Sequence, residues 1–262
     1  MIQSIKPDSD IAGTATTKSL RGKLMFAASA GILALVAPSG FYGMRAEAQA
    51  IPDECTDTDP NGVTSNNSQA DDGETVECFV DLNDGPIDPI STSVADLTLQ
   101  IGAENGGADS TVVGDTATTG SAIYMSGNGA QTLDIRKSGR AINGGNTSSG
   151  PTVSIATNGS ISLTNNGVIE NQESQNANDA QRALYALVRS GGGDLVVNSA
   201  NGQIQGSAYV YNFGAGKLDL DFTELSTLGR DKGLYVKTGS TVTQVDIDVG
   251  SVTAANNAAM SI

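Results

Sequence analysis

The sequence predicts an all-β fold: a right-handed parallel β-helix, a solenoid whose rungs are each about 25 residues long. Three observations predict it. First, "RALYALVRSGGGDLVVNSANGQIQG" (182–206), "SAYVYNFGAGKLDLDFTELSTLGRD" (207–231) and "KGLYVKTGSTVTQVDIDVGSVTAAN" (232–256) are blocks of 25 residues that each run into an apolar-aromatic strand, and "NAAMSI" opens another copy. Second, the strands within the blocks alternate apolar and polar residues, the period a half-buried strand requires. Third, Gly and Asn recur between the strands ("GSG", "TNG", "NNG", "ANG"), where tight corners are expected to need positive φ.

Taken in order, residues 1–50 read as an extended export signal. Lys18, Arg21 and Lys23 precede the uncharged run "LMFAASAGILALVA", and "AEAQA" supplies the small residues of a cleavage site after Ala50. At 14 residues the apolar run is short of the ~20 needed to cross a bilayer, and Pro38 and Gly40 follow it. Removing the signal leaves nine Lys/Arg against 26 Asp/Glu, a formal charge of −17. That balance argues against nucleic acid and anionic membrane as partners, which need a basic footprint, and is compatible with divalent cations.

Residues 51–93 are polar, acidic and rich in Pro, Gly, Asp and Asn, and read as a cap or linker. Cys55 and Cys78, an isolated pair in an exported chain, are expected to form one disulfide.

Residues 94–262 carry the rungs, about six to seven turns. The repeat extends upstream to 121–145 and, in a longer copy, 146–172. "ESQNANDAQ" (173–181) reads as an insertion projecting from one turn. The best candidate helix, "SQNANDAQRALYAL", is better explained in its second half as the first strand of a repeat. In the second strand of each unit, Leu133 and Ile135, Leu195 and Val197, Leu218, Leu220 and Phe222, and Val245, Ile247 and Val249 fall on one face. Three short strands per unit are too few to fold alone, whereas stacked units bury a continuous apolar interior. An antiparallel sandwich is the rival fold, but it has no reason to repeat at a constant interval.

Chemistry is constrained by the absence of histidine, which removes His-based nucleophile systems and His-ligated metals. If "KLDLDF" stacks on "QVDIDV", Asp219 lies beside Asp246 and Asp221 beside Asp248 on the polar face. Like charges paired on strands ~4.8 Å apart repel. A bound Ca²⁺ or a shared proton would relieve that, and otherwise the ladder is a solvated acidic face. Paired carboxylates could also serve a carbohydrate-active enzyme, a polysaccharide lyase or hydrolase, with Lys217 and Lys237 as the nearby cations. Tyr124, Tyr185 and Tyr235 recur at one phase of three units, as ordinary repeat aromatics or as a stacking platform.

The extended signal, the Cys-bracketed acidic segment and Gly/Asn-rich rungs such as "GSISLTNNGVIEN" and "GQIQG" together resemble the passenger regions of Gram-negative autotransporters, the type V secreted surface proteins. The resemblance covers most of residues 1–262 and is one of composition and period. It implies a non-enzymatic, adhesin-like stalk at the cell surface, host or matrix glycans or proteins as partners, and a C-terminal translocator barrel in the outer membrane. No alternating barrel strands follow residue 231, so the chain reads as the N-terminal part of a longer product.

Overall fold

The computed structural model describes residues 55–58, 64–65, 71–79, 87–104, 110–114, 121–143, 150–172, 182–227, 233–254 and 258–262. The expected signal with Ala50, and the insertion at 173–181, lie outside the described residues. Among the described residues the fold is all-β, without a helix. The first strands are β1 (Cys55–Thr58), β2 (Thr64–Ser65), β3 (Glu74–Cys78), β4 (Ile90–Thr92), β5 (Leu97–Ile101) and β6 (Ser110–Val113). Three triplets follow: β7 (Ile123–Gly127), β8 (Gln131–Ile135) and β9 (Gly139–Asn143), then β10 (Val153–Thr157), β11 (Ile161–Asn165) and β12 (Val168–Asn171), then β13 (Arg182–Val188), β14 (Leu195–Ser199) and β15 (Gln203–Gln205). The last are β16 (Ser207–Asn212), β17 (Lys217–Thr227), β18 (Leu234–Thr238), β19 (Gln244–Ala254) and β20 (Met260–Ser261).

From β4 to β14 each strand pairs with the strand three places on, and from β15 onward with the strand two places on, because β17 and β19 each run through two ladders. A 7-stranded sheet runs β20-β18-β16-β13-β10-β7-β4, and a 13-stranded sheet runs β2-β1-β3-β5-β8-β11-β14-β17-β15-β12-β9-β6, with β19 on β17. Only the pairings of β1 with β2 and β3 are antiparallel; the rest are parallel. The long strand β17 explains why two lines of strands merge into the larger sheet. Its Leu218–Phe222 half pairs with β14 and its Leu225–Ser226 half with β15. The chain thus visits three ladders in turn and returns one rung higher, a β-helix-like arrangement.

The register also gives the step per rung. Along the smaller sheet Leu184, Ala208, Leu234 and Met260 are successive partners, steps of 24, 26 and 26 residues. Before them, Ile123, Val153 and Leu184 advance by 30 and 31. The steps between partners are therefore shorter late in the chain than early in it, and the pairing stays parallel through both.

Alternation produces the core. In β3, β5, β8 and β9 buried positions alternate strictly with half-exposed ones. The inward positions stack into columns: Leu99, Leu133, Leu163, Val197 and Leu220 are successive partners, as are Met125, Ile155, Ala186, Val210 and Val236. All ten are buried. Burying one such side chain stabilises by roughly 1.5–3 kcal/mol, which no single three-strand rung achieves without a neighbour above and below. Val245, Ile247 and Val249 of β19 pack against this core and are half-buried.

The segment expected to be a cap joins the same core. Val76, Cys78, Ile87 and Ile90 belong to the buried cluster, and β3 already pairs in parallel with β5. Cys55 and Cys78 face each other across the antiparallel β1–β3 pair, Cα atoms 4.1 Å apart, and form the disulfide.

The corners correct one expectation. Among the described residues no Asn, and no other non-glycine residue, has positive φ; only Gly73, Gly102, Gly191 and Gly206 do. The remaining corner glycines are required by rung-to-rung contact instead. A Cβ at Gly159 would fall on the backbone of Gly129, one at Gly192 would sit 2.7 Å from the Gly159 carbonyl, and one at Gly214 would fall on Gly192. This is a column of glycines where the stacked backbones approach too closely for any side chain. Corner asparagines act through their amides. Buried Asn165 donates from Nδ2 to Ser199 Oγ (2.9 Å) and the Gln203 carbonyl (3.2 Å), and its Oδ1 accepts from Gly167 N–H (3.1 Å). Asn212 repeats the device, donating to the Lys217 carbonyl and accepting from Gly214 N–H, both at 2.9 Å.

Candidate functional site

Two outer faces of the coil hold the residues that the sequence singles out. On the larger sheet β17 and β19 pair in the register that makes an aspartate ladder: Asp219 opposite Asp246, and Asp221 opposite Asp248. Alternation sends Leu218, Leu220 and Phe222 into the core and so turns these carboxylates out. The Asp221 carboxyl is pushed above its usual range, first by partial burial and then by the charges of Asp248 and Asp219. The ladder is two rungs deep, because Val196 and Asn198 occupy the same positions on β14.

The two lysines part company. Lys217 Nζ lies 3.2 Å from Asp219 Oδ2, whereas Lys237 is on β18 in the other sheet, 5.8 Å from the centroid of Phe213. Lys237 is therefore no partner for the carboxylates; the corner between β18 and β19 turns it onto a different face. Among the described residues no group of three or more His, Cys, Asp or Glu converges so as to hold a metal ion. Three rungs below Asp221 its outward column reaches Asp134, and Arg136, just past β8, donates to Asp134 Oδ2 (3.5 Å), to Gln100 Oε1 and to Glu77 Oε1 (3.2 Å), binding three rungs together. A polar depression of about 310 Å³ is lined by Glu104, Arg136, Lys137, Asn166 and Asn201; neither the aspartates nor the tyrosines line it.

The second face is aromatic. On the smaller sheet Tyr185, Tyr209 and Tyr235 are successive partners in adjacent rungs. Tyr124 is on the same line but Ser154 stands between it and Tyr185. Tyr211 gathers the others: its ring centroid is 5.5 Å from that of Tyr185, 6.5 Å from Tyr209, 5.7 Å from Tyr235 and 6.2 Å from Phe213. Tyr209 and Tyr235 are 5.4 Å apart. These are the separations at which aromatic pairs attract. Leu187, in register with Tyr211, is only 7% exposed although it lies on the outer line. Arg182 places its guanidinium 5.1 Å from the Tyr209 centroid, and Lys237 reaches Phe213. Burial, together with the neighbouring tyrosines, pushes the Tyr211 hydroxyl well above its usual range. Burial also raises that of Tyr185, against the opposing pull of Arg189 and Arg182.

Sequence reasoning finds Tyr185 and Tyr235 but misses Tyr209, Tyr211, Phe213 and Arg182. The signal was available: Tyr209, Tyr211 and Phe213 alternate through β16 into the corner, so all three share one face. The two sheets also differ in charge. The seven strands of the smaller sheet contain no Asp or Glu. Every strand carboxylate among the described residues lies on the larger sheet.

No family model matches the chain, and no curated protein or solved structure matches it either.

Proposed function

We propose that this chain is the right-handed β-helical stalk of an exported cell-surface protein of the autotransporter passenger type, adhesin-like and without a catalytic centre of its own. The observation that carries this reading is the unbroken parallel ladder from β4 to β20, with an apolar interior and its polar and aromatic groups laid out along the outside. Such a coil offers extended outer ladders rather than an enclosed cleft, the geometry of a surface that binds along its length. The strong negative charge, the single disulfide and the apolar stretch ahead of Ala50 support export through the inner membrane. Rungs of about 25 residues, a signal cleaved after Ala50 and a translocator barrel as partner belong to the same proposal.

The test is expression of the full chain in a Gram-negative host, with fractionation and mass analysis. The expected product begins at Ile51, lies outside the inner membrane and releases no fragments from acidic or neutral polysaccharides. A chain retained in the cytoplasm with residues 1–50 intact overturns the export reading. Turnover of a polysaccharide, lost in Asp221→Asn, would replace the stalk with a carbohydrate-active enzyme.

A further inference from the structure

We propose that the aromatic face of the smaller sheet is a binding platform for an acidic polysaccharide, a chain of pyranose rings carrying carboxylates or sulfates. The inference rests on the stalk reading and names its ligand class. Tyr185, Tyr209 and Tyr235 repeat at the rung spacing of ~4.8 Å, and Tyr211 and Phe213 widen the line into a surface several rings across. A row of partly exposed rings repeating at one short interval suits a polymer whose flat, C–H-lined sugar faces repeat at a comparable interval. It suits a single small molecule less well.

The charge decides which polymer. The chain carries a formal charge of −15, so an anionic ligand is repelled by most of its surface. The strands of this sheet are the exception: they hold no carboxylate, and Arg182, Arg189 and Lys237 border the rings. Acidic groups on a sugar chain would meet those cations while its rings rest on the tyrosines. Single-stranded nucleic acid also stacks on aromatics, and the oligonucleotide probe below separates it from an acidic sugar chain.

The experiment is affinity electrophoresis and calorimetry of the full chain with four probes: polygalacturonate, heparin, the neutral polymer hydroxyethyl cellulose, and a thymidine oligonucleotide. Retardation by polygalacturonate or heparin, and by neither of the others, is expected; which of the two binds separates carboxylate from sulfate recognition. Tyr209→Ala is expected to weaken binding at least tenfold. Tyr209→Phe should keep most of it, and Asp221→Asn on the opposite sheet should leave it unchanged. Lys237→Glu should weaken it and reduce its salt dependence. Circular dichroism and urea midpoints show that each variant is folded. An exported, folded chain that ignores both acidic polymers overturns this inference and leaves the stalk reading standing, whereas cytoplasmic retention defeats the stalk reading itself. Preference for the oligonucleotide, or binding indifferent to Tyr209→Ala in a folded variant, overturns the platform.

Discussion

Replacing Asp248 by Asn removes one of the two charges that oppose Asp221 and should stabilise the fold. The strands of β17 and β19 run in register, so the two carboxylates are separated by about the 4.8 Å between strands. At that distance two unit charges repel by ~0.9 kcal/mol in water and by ~3.5 kcal/mol at an effective dielectric of 20. Asp248 is exposed and Asp221 half-exposed, so solvent screening brings the value near the low end, about 0.5–1 kcal/mol. With a urea m-value of roughly 2 kcal/mol/M the midpoint should rise by about 0.3 M at low ionic strength. In 1 M salt, where the screening length is ~3 Å, most of the gain should vanish. The pH dependence has a definite sign. Because Asp221 has a folded value above its usual 3.8, the folded state binds the extra proton. Stability should therefore rise as pH falls through that raised value, with the penalty fully present above it, and Asp221→Asn should flatten this portion of the profile. A lower midpoint in Asp248→Asn would refute the reasoning and show that the carboxylate is held by a cation, and a gain that survives 1 M salt would refute it by showing that the effect is not charge repulsion.

Four further outcomes are expected. Cys55→Ser should lower stability by about 3 kcal/mol, the chain-entropy value for a bridge spanning 23 residues, measured by urea unfolding against the oxidised wild type, and reduced wild type should fall to the level of the variant. Gly159→Ala should cost about 1–3 kcal/mol because the new methyl meets the backbone of Gly129; the same change at Gly191, where a Cβ meets nothing within 4 Å but φ is +89°, should cost only the strain of that conformation. Asn165→Ala strips three hydrogen bonds from a buried corner and should cost about 1–3 kcal/mol, with Asn165→Ser recovering part of it. Asn198→Asp would lengthen the acidic ladder to three rungs, placing Asp221 between two charges, and should lower the urea midpoint at low salt where Asn198→Ser does not.

The parallel register was legible because strands in a coil stack like on like: the alternation of "KLDLDF" and "QVDIDV" sets both the inward columns and the outward aspartates. The disulfide followed from an isolated cysteine pair. The meaning of the corner glycines was not legible, since Gly129, Gly159, Gly192 and Gly214 are excluded from carrying side chains by backbone from the rung below, a contact between residues more than 20 positions apart. The role of Cys78, Ile87 and Ile90 in the core was hidden for a related reason: their segment is poor in apolar residues, and the few present are buried by rungs that come later in the chain. Tyr211 was overlooked because its partners Tyr185 and Tyr235 lie in the blocks on either side.

Stacking like on like also accounts for which residues the ladders tolerate. A tyrosine above a tyrosine attracts, so Tyr185, Tyr209 and Tyr235 form an uninterrupted run of three. An aspartate above an aspartate repels, and below Asp221 the column turns to Asn198 and Thr164, and its next carboxylates, Asp134 and then Glu77 beyond Gln100, are both met by Arg136. Repetition thus places opposite limits on the two faces: it lets an aromatic surface grow with the number of rungs and requires an acidic one to be interrupted or neutralised. A highly charged coil then has reason to confine its strand carboxylates to one sheet and spread them among neutral rungs. Among the described residues the strands of the other sheet are left without a carboxylate, which is the condition that the proposed acidic ligand requires.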